Sequence, residues 1–206
     1  GEMLTVDGGK MSKSLKNFYT IRDLKKQGFN PLAYRYCTLN AHYRSPLNFT
    51  WDALAAAENG LDNMYRETAL LKFSGKGKTN VIGRKRLKSY EKQFSQAIND
   101  DLNMPRAMSV AWDTLHDQLI SPHERRTLLF KFDEVLGLDL KGADNLAKAP
   151  AKVTKLVGER EKFRSSKQFV QADGLRNKIE KLGYIVEDTP SGPFLWQKKA
   201  CRINLQ

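Results

Sequence analysis

The chain has 206 residues, room for one large domain or two small ones, and its 40% hydrophobic content is too high for a disordered or collagen-like chain. Lys and Arg total 35 against 23 Asp and Glu, a net charge of +12 that points to a polyanionic partner wherever the charge clusters. No apolar run nears the roughly 20 residues of a membrane helix, no signal peptide is expected, and Cys37 and Cys201, far apart and without CxxC spacing, exclude a disulfide scaffold and a Cys-rich zinc site.

A short strand is expected over 3–6, running into the turn Asp7-Gly8-Gly9. Its backbone needs a partner and none is evident nearby, which implies an absent upstream domain or a cloning remnant at Gly1. Thr20 caps a helix over 21–26, with Gly28 as the stop. Asn30 caps the next, with Pro31 in its first turn and Leu32, Tyr36, Leu39 and Tyr43 at helical spacing. Pro46 breaks that pattern, and Thr50 caps a long helix through Leu54, Leu61, Met64, Leu70 and Leu71. A Gly/Lys linker is expected from Ser74 to about Gly83. Leu87, Tyr90, Phe94 and Ile98 mark a further helix. Pro105 opens another, with Met108, Trp112, Leu115 and Leu119 on one side. Ser121-Pro122 starts a helix through Leu128, Leu129, Phe132, Val135 and Leu136 that Gly137 closes. Successive amphipathic helices with short connections form a bundle.

Residues 139–151 read as a second linker, which suggests some freedom for the C-terminal segment. Two short helices near 152–165 and 169–182 precede a strand over 184–188, a turn at Thr189–Gly192 and a return strand over 194–196. The expected fold is mainly α: a helix bundle after a short strand–loop start, followed by a small α+β C-terminal module with a hairpin. The expected divisions are 1–50, 51–140 and 141–206.

Two basic clusters stand out. Lys72, Lys76, Lys78, Arg84, Lys85, Arg86 and Lys88 form one, and Lys152, Lys155, Arg160, Lys162, Arg164 and Lys167 the other. Each is either a solvated face or a footprint for a polyanion.

The most specific string is Lys10-Met11-Ser12-Lys13-Ser14, directly after the strand and the Gly pair. Two lysines three apart on a loop suit a triphosphate, because charge accumulates on leaving pyrophosphate and positioned cations stabilise it. An ordinary polar loop has the same residue types. The flanks Val6-Asp7-Gly8-Gly9 and Leu15-Lys16-Asn17-Phe18 complete a segment that resembles the signature loop of class I aminoacyl-tRNA synthetases. Arg35–Leu39, then His42-Tyr43-Arg44-Ser45-Pro46-Leu47-Asn48-Phe49, is similar to the stretch after this loop in the cysteinyl-tRNA synthetase family. Asp101–Ala107 resembles that family's bundle signature, and Ala172–Arg176, Glu187–Pro190 and Trp196 resemble its anticodon-binding module.

The resemblance implies a ligase that uses ATP as a substrate, with cysteine and the tRNA for cysteine as its other partners, acting in the cytoplasm as a monomer. It implies Lys10 and Lys13 as catalytic residues, Lys10 to Ser14 as ATP contacts, and Arg164, Phe169, Asp173 and Asp188 as anticodon contacts. It also implies that the family's HIGH-type motif and zinc site lie upstream. No His-x-Gly-His occurs here, and no metal ligand is expected among His42, His116 and His123. The chain alone is therefore expected to be inactive. Three departures stand out: Lys16 where the family usually has Gly, Phe169 where it often has Trp, and one extra residue between Gly192 and Trp196.

Structural readings remain open beside these. Phe169 is a stacking face or a core residue, Asp173 a base acceptor or the partner of Arg176, and Trp196 a core residue before it is a contact. Tyr43 packs and Arg44 pairs with a carboxylate, unless this turn meets the inner face of the tRNA. Two alternatives also stand for the whole: a non-catalytic RNA-binding fragment, and a ligase passing cysteinyl-adenylate to a small amine.

Overall fold

The computed structural model describes residues 4–74, 77–145 and 148–197. Met3, Lys76 and Cys201, named above, lie outside the described residues.

Side-chain caps set where the bundle helices begin. Thr20, Asn30, Thr50, Asn80, Asn103 and Ser121 each accept a first-turn N–H, at α1 (Ile21–Lys26), α2 (Pro31–Leu39), α3 (Trp51–Phe73), α4 (Val81–Asn99), α5 (Met104–His116) and α6 (Pro122–Leu136). Gly137 takes the left-handed conformation that closes α6. Helices α3 to α6 pack as a bundle around Leu61, Met64, Met108, Leu115, Leu129 and Leu136, with Phe94 stacked on Phe132 at 4.0 Å between ring centres. A mainly α fold with this start and this tail is what the sequence predicts.

β1 (Leu4–Val6) lies between two strands of its own chain. It runs antiparallel to β2 (Gly9–Lys10) and parallel to β3 (Leu47–Phe49). The expectation of a strand without a nearby partner is thus corrected. The partner lies just after Pro46, in three residues too few to show strand alternation. Val6, Leu24, Phe29, Ala33, Phe49 and Leu54 form a second core beneath this sheet, edged by Tyr19 and Trp51.

Four further expectations shift. Helix α2 stops at Leu39, where the Asn40 side-chain amide donates to the Tyr36 carbonyl, so Tyr43 lies beyond it and is exposed. Helix α5 stops at His116, and Leu119 is half exposed rather than part of the stripe. There the Asp117 carboxylate leaves the helix for Arg86, Tyr90 and the Leu119 N–H. The first linker is shorter, because Asn80 caps α4 and puts Gly83 inside it. The second is not free chain: Leu140–Asn145 is a 3₁₀ helix with Leu140 and Ala143 buried, and Asp144 binds Lys72 at 3.0 Å and Arg126 at 2.7 Å.

The tail comprises α7 (Ala151–Ser165), α8 (Phe169–Lys181) and the antiparallel hairpin β4 (Tyr184–Thr189) and β5 (Gly192–Gln197). Val153, Val157, Ile179 and Val186 make its own small core. Phe194 nevertheless belongs to the bundle core, edge-on to Phe73, and Arg66 of α3 binds Glu187 at 2.8 Å. The tail is docked on the bundle, not tethered by a linker alone.

Gly83 yields a prediction of inverted sign. Ala in place of Gly normally stabilises a helix by about 1 kcal/mol. Here a Cβ would stand 2.3 Å from the Leu119 carbonyl oxygen and 2.4 Å from Thr79 Cγ2. Gly83→Ala should destabilise the protein by about 1–3 kcal/mol in urea denaturation.

Candidate phosphate-binding loop and nucleic-acid interface

The signature loop is shaped from its own sequence. Asp7 and Gly8 both turn through positive φ, which reverses the chain between β1 and β2. Asn48 on β3 fixes that turn, its Oδ1 accepting from Gly8 N at 2.9 Å and Thr5 Oγ1 at 3.0 Å. Asn17 closes the loop beyond it: its amide donates to the Lys10 carbonyl at 3.0 Å and its Oδ1 accepts from Ser12 N at 2.8 Å. Ser12 Oγ accepts from Leu15 N at 3.2 Å and lies 3.1 Å from Ser14 Oγ. Met11 packs on the second core and anchors the middle of the loop.

Lys10, Lys13 and Lys16 all stand exposed, and among the described residues no ion pair neutralises them. Lys13 Nζ lies 5.8 Å from the centre of the Phe18 ring, which steadies the ammonium group without discharging it. The result is a small concentration of positive charge with hydroxyls alongside, the donor set a polyphosphate requires.

Lys16 departs from glycine at a telling position. Its φ is +55°, in the left-handed region that costs an L side chain roughly 1 kcal/mol. Glycine would take this conformation without that cost.

The second candidate surface lies on the tail. Arg164 lies in the last turn of α7, and its Nη1 forms an ion pair with Asp188 Oδ2 at 2.9 Å. Phe169 opens α8 and is 59% exposed, so the core reading does not hold. Asp173 lies exposed one turn further along. Arg176 reaches Glu180 at 3.6 Å rather than Asp173. Among the described residues Arg164 and Asp188 are joined directly, while no hydrogen bond or ion pair links them to Phe169 or Asp173. Trp196 packs against the bundle core. Arg44 has its carboxylate: Asp101 Oδ1 accepts from Arg44 Nη2 at 3.1 Å and from the Tyr43 hydroxyl at 2.5 Å, while Arg44 Nε donates to the Tyr43 hydroxyl oxygen at 2.9 Å.

Sequence reading missed Arg160. Counted among the cluster cations, it is 1% exposed and holds Asp188 through both terminal nitrogens. Those bonds come first among the influences that hold the Asp188 carboxyl below its ordinary range, against the opposing pull of burial; the charges of Arg160, Arg164 and Arg176 add to them. The available signal was spacing, since Val153, Val157 and Arg160 fall on one helical stripe. The basic clusters thin out accordingly. Lys72 and Arg86 are tied to Asp144 and Asp117, which leaves Lys78 exposed before α4, Arg84, Lys85 and Lys88 exposed on it, and Lys152, Lys155, Lys162 and Lys167 exposed on the tail.

Among the described residues no three His, Cys, Asp or Glu groups gather as a metal site requires. They do not fit the zinc ion that the resemblance implies. Among the same residues no helix is long and apolar enough to cross a membrane.

Comparison with known proteins gives a family model first. Residues 1–59 match the family of "tRNA synthetases class I (C) catalytic domain". Along nearly the whole chain the likeness is to proteins named as ligases. The chain is 37% identical over 198 residues to "Cysteine--tRNA ligase 1" of Burkholderia lata, covering 95% of this chain and 40% of that protein. It is 38% identical over 212 residues to the "Cysteine--tRNA ligase" of Chlamydia abortus, covering 93% and 42%, and 34% identical over 207 residues to that of Borrelia hermsii, covering 93% and 43%. Nearly the whole chain is therefore similar to the C-terminal part of cysteine–tRNA ligases, and it spans about two-fifths of their length.

The loop geometry generates a test. Lys16→Gly should relieve the positive-φ strain and stabilise the protein by roughly 1 kcal/mol or less, with slower amide exchange across 10–17. A loss of stability would mean that the Lys16 side chain contributes more than its backbone costs.

Proposed function

We propose that this chain is the tRNA-facing C-terminal part of a cysteine–tRNA ligase. In this reading residues 1–50 carry the phosphate loop and a stem-contact helical region, 51–140 form a helical bundle of the anticodon-binding type, and 141–206 form a small module that recognises the anticodon. One observation supports it above the others: alignment with ligases of that name covers 93–96% of the chain.

The reaction has two steps. A cysteine carboxylate oxygen attacks the α-phosphorus of ATP, giving cysteinyl-adenylate as pyrophosphate leaves. A hydroxyl of the terminal tRNA ribose then attacks the acyl carbon, and AMP leaves. Negative charge grows on pyrophosphate in the first step, and Lys13, assisted by Lys10, supplies the opposing charge. Ser12 and Ser14 add donors, and Met11 holds the loop in place. The adenosine pocket, the cysteine site and any zinc belong, in this reading, to the remainder of the ligase. The enzyme works in the cytoplasm as a monomer. Passing the adenylate to a small amine would leave residues 141–206 without a role.

Cysteine-dependent ATP–pyrophosphate exchange should be undetectable for this chain alone. In a full-length ligase carrying the segment, Lys13→Ala should slow adenylate formation about a hundredfold, on the order of 3 kcal/mol, with cysteine affinity little changed. Lys10→Ala should do less. Unchanged pre-steady-state activation in Lys13→Ala would remove the catalytic assignment.

The cations of α4 have a different expected signature. Phosphate contacts are blind to sequence and sensitive to salt. Replacing Arg84, Lys85 and Lys88 with Gln should weaken cognate and anticodon-swapped tRNA alike, lowering the salt slope by roughly 1 for each phosphate no longer neutralised. A change in anticodon preference in this variant would show that α4 is no mere phosphate surface.

A further inference from the structure

Arg160 occupies a position where Val153 and Val157, earlier on the same stripe, are buried. It is buried too, at 1% exposure, yet it remains a guanidinium. Nη1 donates to Asp188 Oδ1 at 2.8 Å and Nη2 to Oδ2 at 3.0 Å, a two-pronged fit to a carboxylate that lysine cannot reproduce. Asp188 differs from its partner, for its side chain is 43% exposed. The ion pair is thus buried on one side only. An ion pair kept for stability alone is often replaced by apolar residues at little cost, which leaves a positional use for this one.

The free acceptor sites on Asp188 can be located. A carboxylate offers about four lone-pair sites. Arg160 fills two, one on each oxygen, and Arg164 Nη1 stands 2.9 Å from Oδ2 as an ion-pair partner. One site on each oxygen remains, on a side chain 43% exposed, beside an Arg164 with N–H groups to spare. Glu161 neutralises Arg160 Nη1 from the other side at 2.6 Å, and Arg176 adds positive charge from α8. The strand beneath is also fixed, because the neighbouring Glu187 is held by Arg66 from the opposite face.

We propose that Arg160 is a positioning residue for nucleobase recognition. It fixes Asp188 so that the remaining Oδ1 acceptor site and the spare donors of Arg164 stand together as an acceptor–donor pair for the edge of one unpaired base. This rests on the reading that the tail meets the anticodon. Asp188 is then no isolated acceptor: it reads the base and aims Arg164 at once, and Arg160 is what allows it to do both.

The test is binding of the 206-residue chain to transcribed cysteine tRNA and to the same tRNA with its anticodon replaced. The wild-type chain is compared with Arg160→Met, Arg160→Lys, Asp188→Asn and the double variant Arg160→Met/Asp188→Asn. The wild type should prefer the cognate tRNA, and Arg160→Met should cut that preference about tenfold, the order of one base-edge interaction. Binding of the swapped tRNA should change far less. Arg160→Lys should keep the charge but not restore the preference. The double variant should lose no more than either single change, since Arg160 acts through Asp188. Should Arg160→Met fail to fold by circular dichroism, Arg160→Lys carries the comparison. Full preference in a folded Arg160 variant overturns the proposal and leaves the anticodon reading intact. Losses that add in the double variant overturn it as well. A wild type without any preference defeats the anticodon reading itself, and this inference with it.

Discussion

Strand alternation in one hairpin sets the relation between the two halves of this molecule. Along β4 and β5, successive side chains face opposite ways. Glu187, Phe194 and Trp196 turn to the bundle, where Arg66 and the main core receive them. Val186, Asp188 and Leu195 turn to α7 and α8, where the small core and Arg160 receive them. The register Glu187 to Phe194 and Val186 to Leu195 keeps these two sets apart. A slip of one residue would exchange them, placing a carboxylate in the bundle core and an aromatic ring under α7. The hairpin is therefore the shared wall of two cores, and its register is specified from both sides.

The lysine loop rests on a comparable economy. Two asparagine side chains do most of the shaping, Asn48 across the β1–β2 turn and Asn17 across the lysine-rich segment. Each supplies donor or acceptor groups that a mobile backbone would otherwise have to find in water. The lysines are left outside this network and their charge is available. The chemistry proposed for them depends on that division of labour: amides hold the shape, and ammonium groups hold the phosphates.

Helix boundaries were readable because capping is local. Thr20, Asn30, Thr50 and Ser121 announce their helices within four residues, and Gly137 closes α6 as its conformation requires. Asn80 was missed because the glycine-rich run before it masked the cap, and Gly83 read as linker although it is packed against Leu119. Strand β3 was missed because a three-residue parallel strand has no periodicity of its own. Lys10 and Lys13 were legible by motif, and the structure adds their freedom from ion pairs among the described residues. The pairing of Arg160 with Asp188 was not legible, since it joins residues 28 apart through a fold that propensity cannot supply. A charged residue on a buried stripe was the one local hint.

The parallel pairing of β1 with β3 bears on the order of assembly. Between these strands lie β2, the lysine loop, α1 and α2. A parallel pair cannot close until the intervening chain has crossed over, and contacts distant in sequence form after local ones. The helices can nucleate from their own caps, whereas the sheet awaits their docking. Asn48 reaches the Gly8 turn only once β3 is in place. The turn at Gly8 that leads into the lysine loop therefore takes its bond to Asn48 only after β3 has docked, whereas Asn17 can close the lysine segment from within.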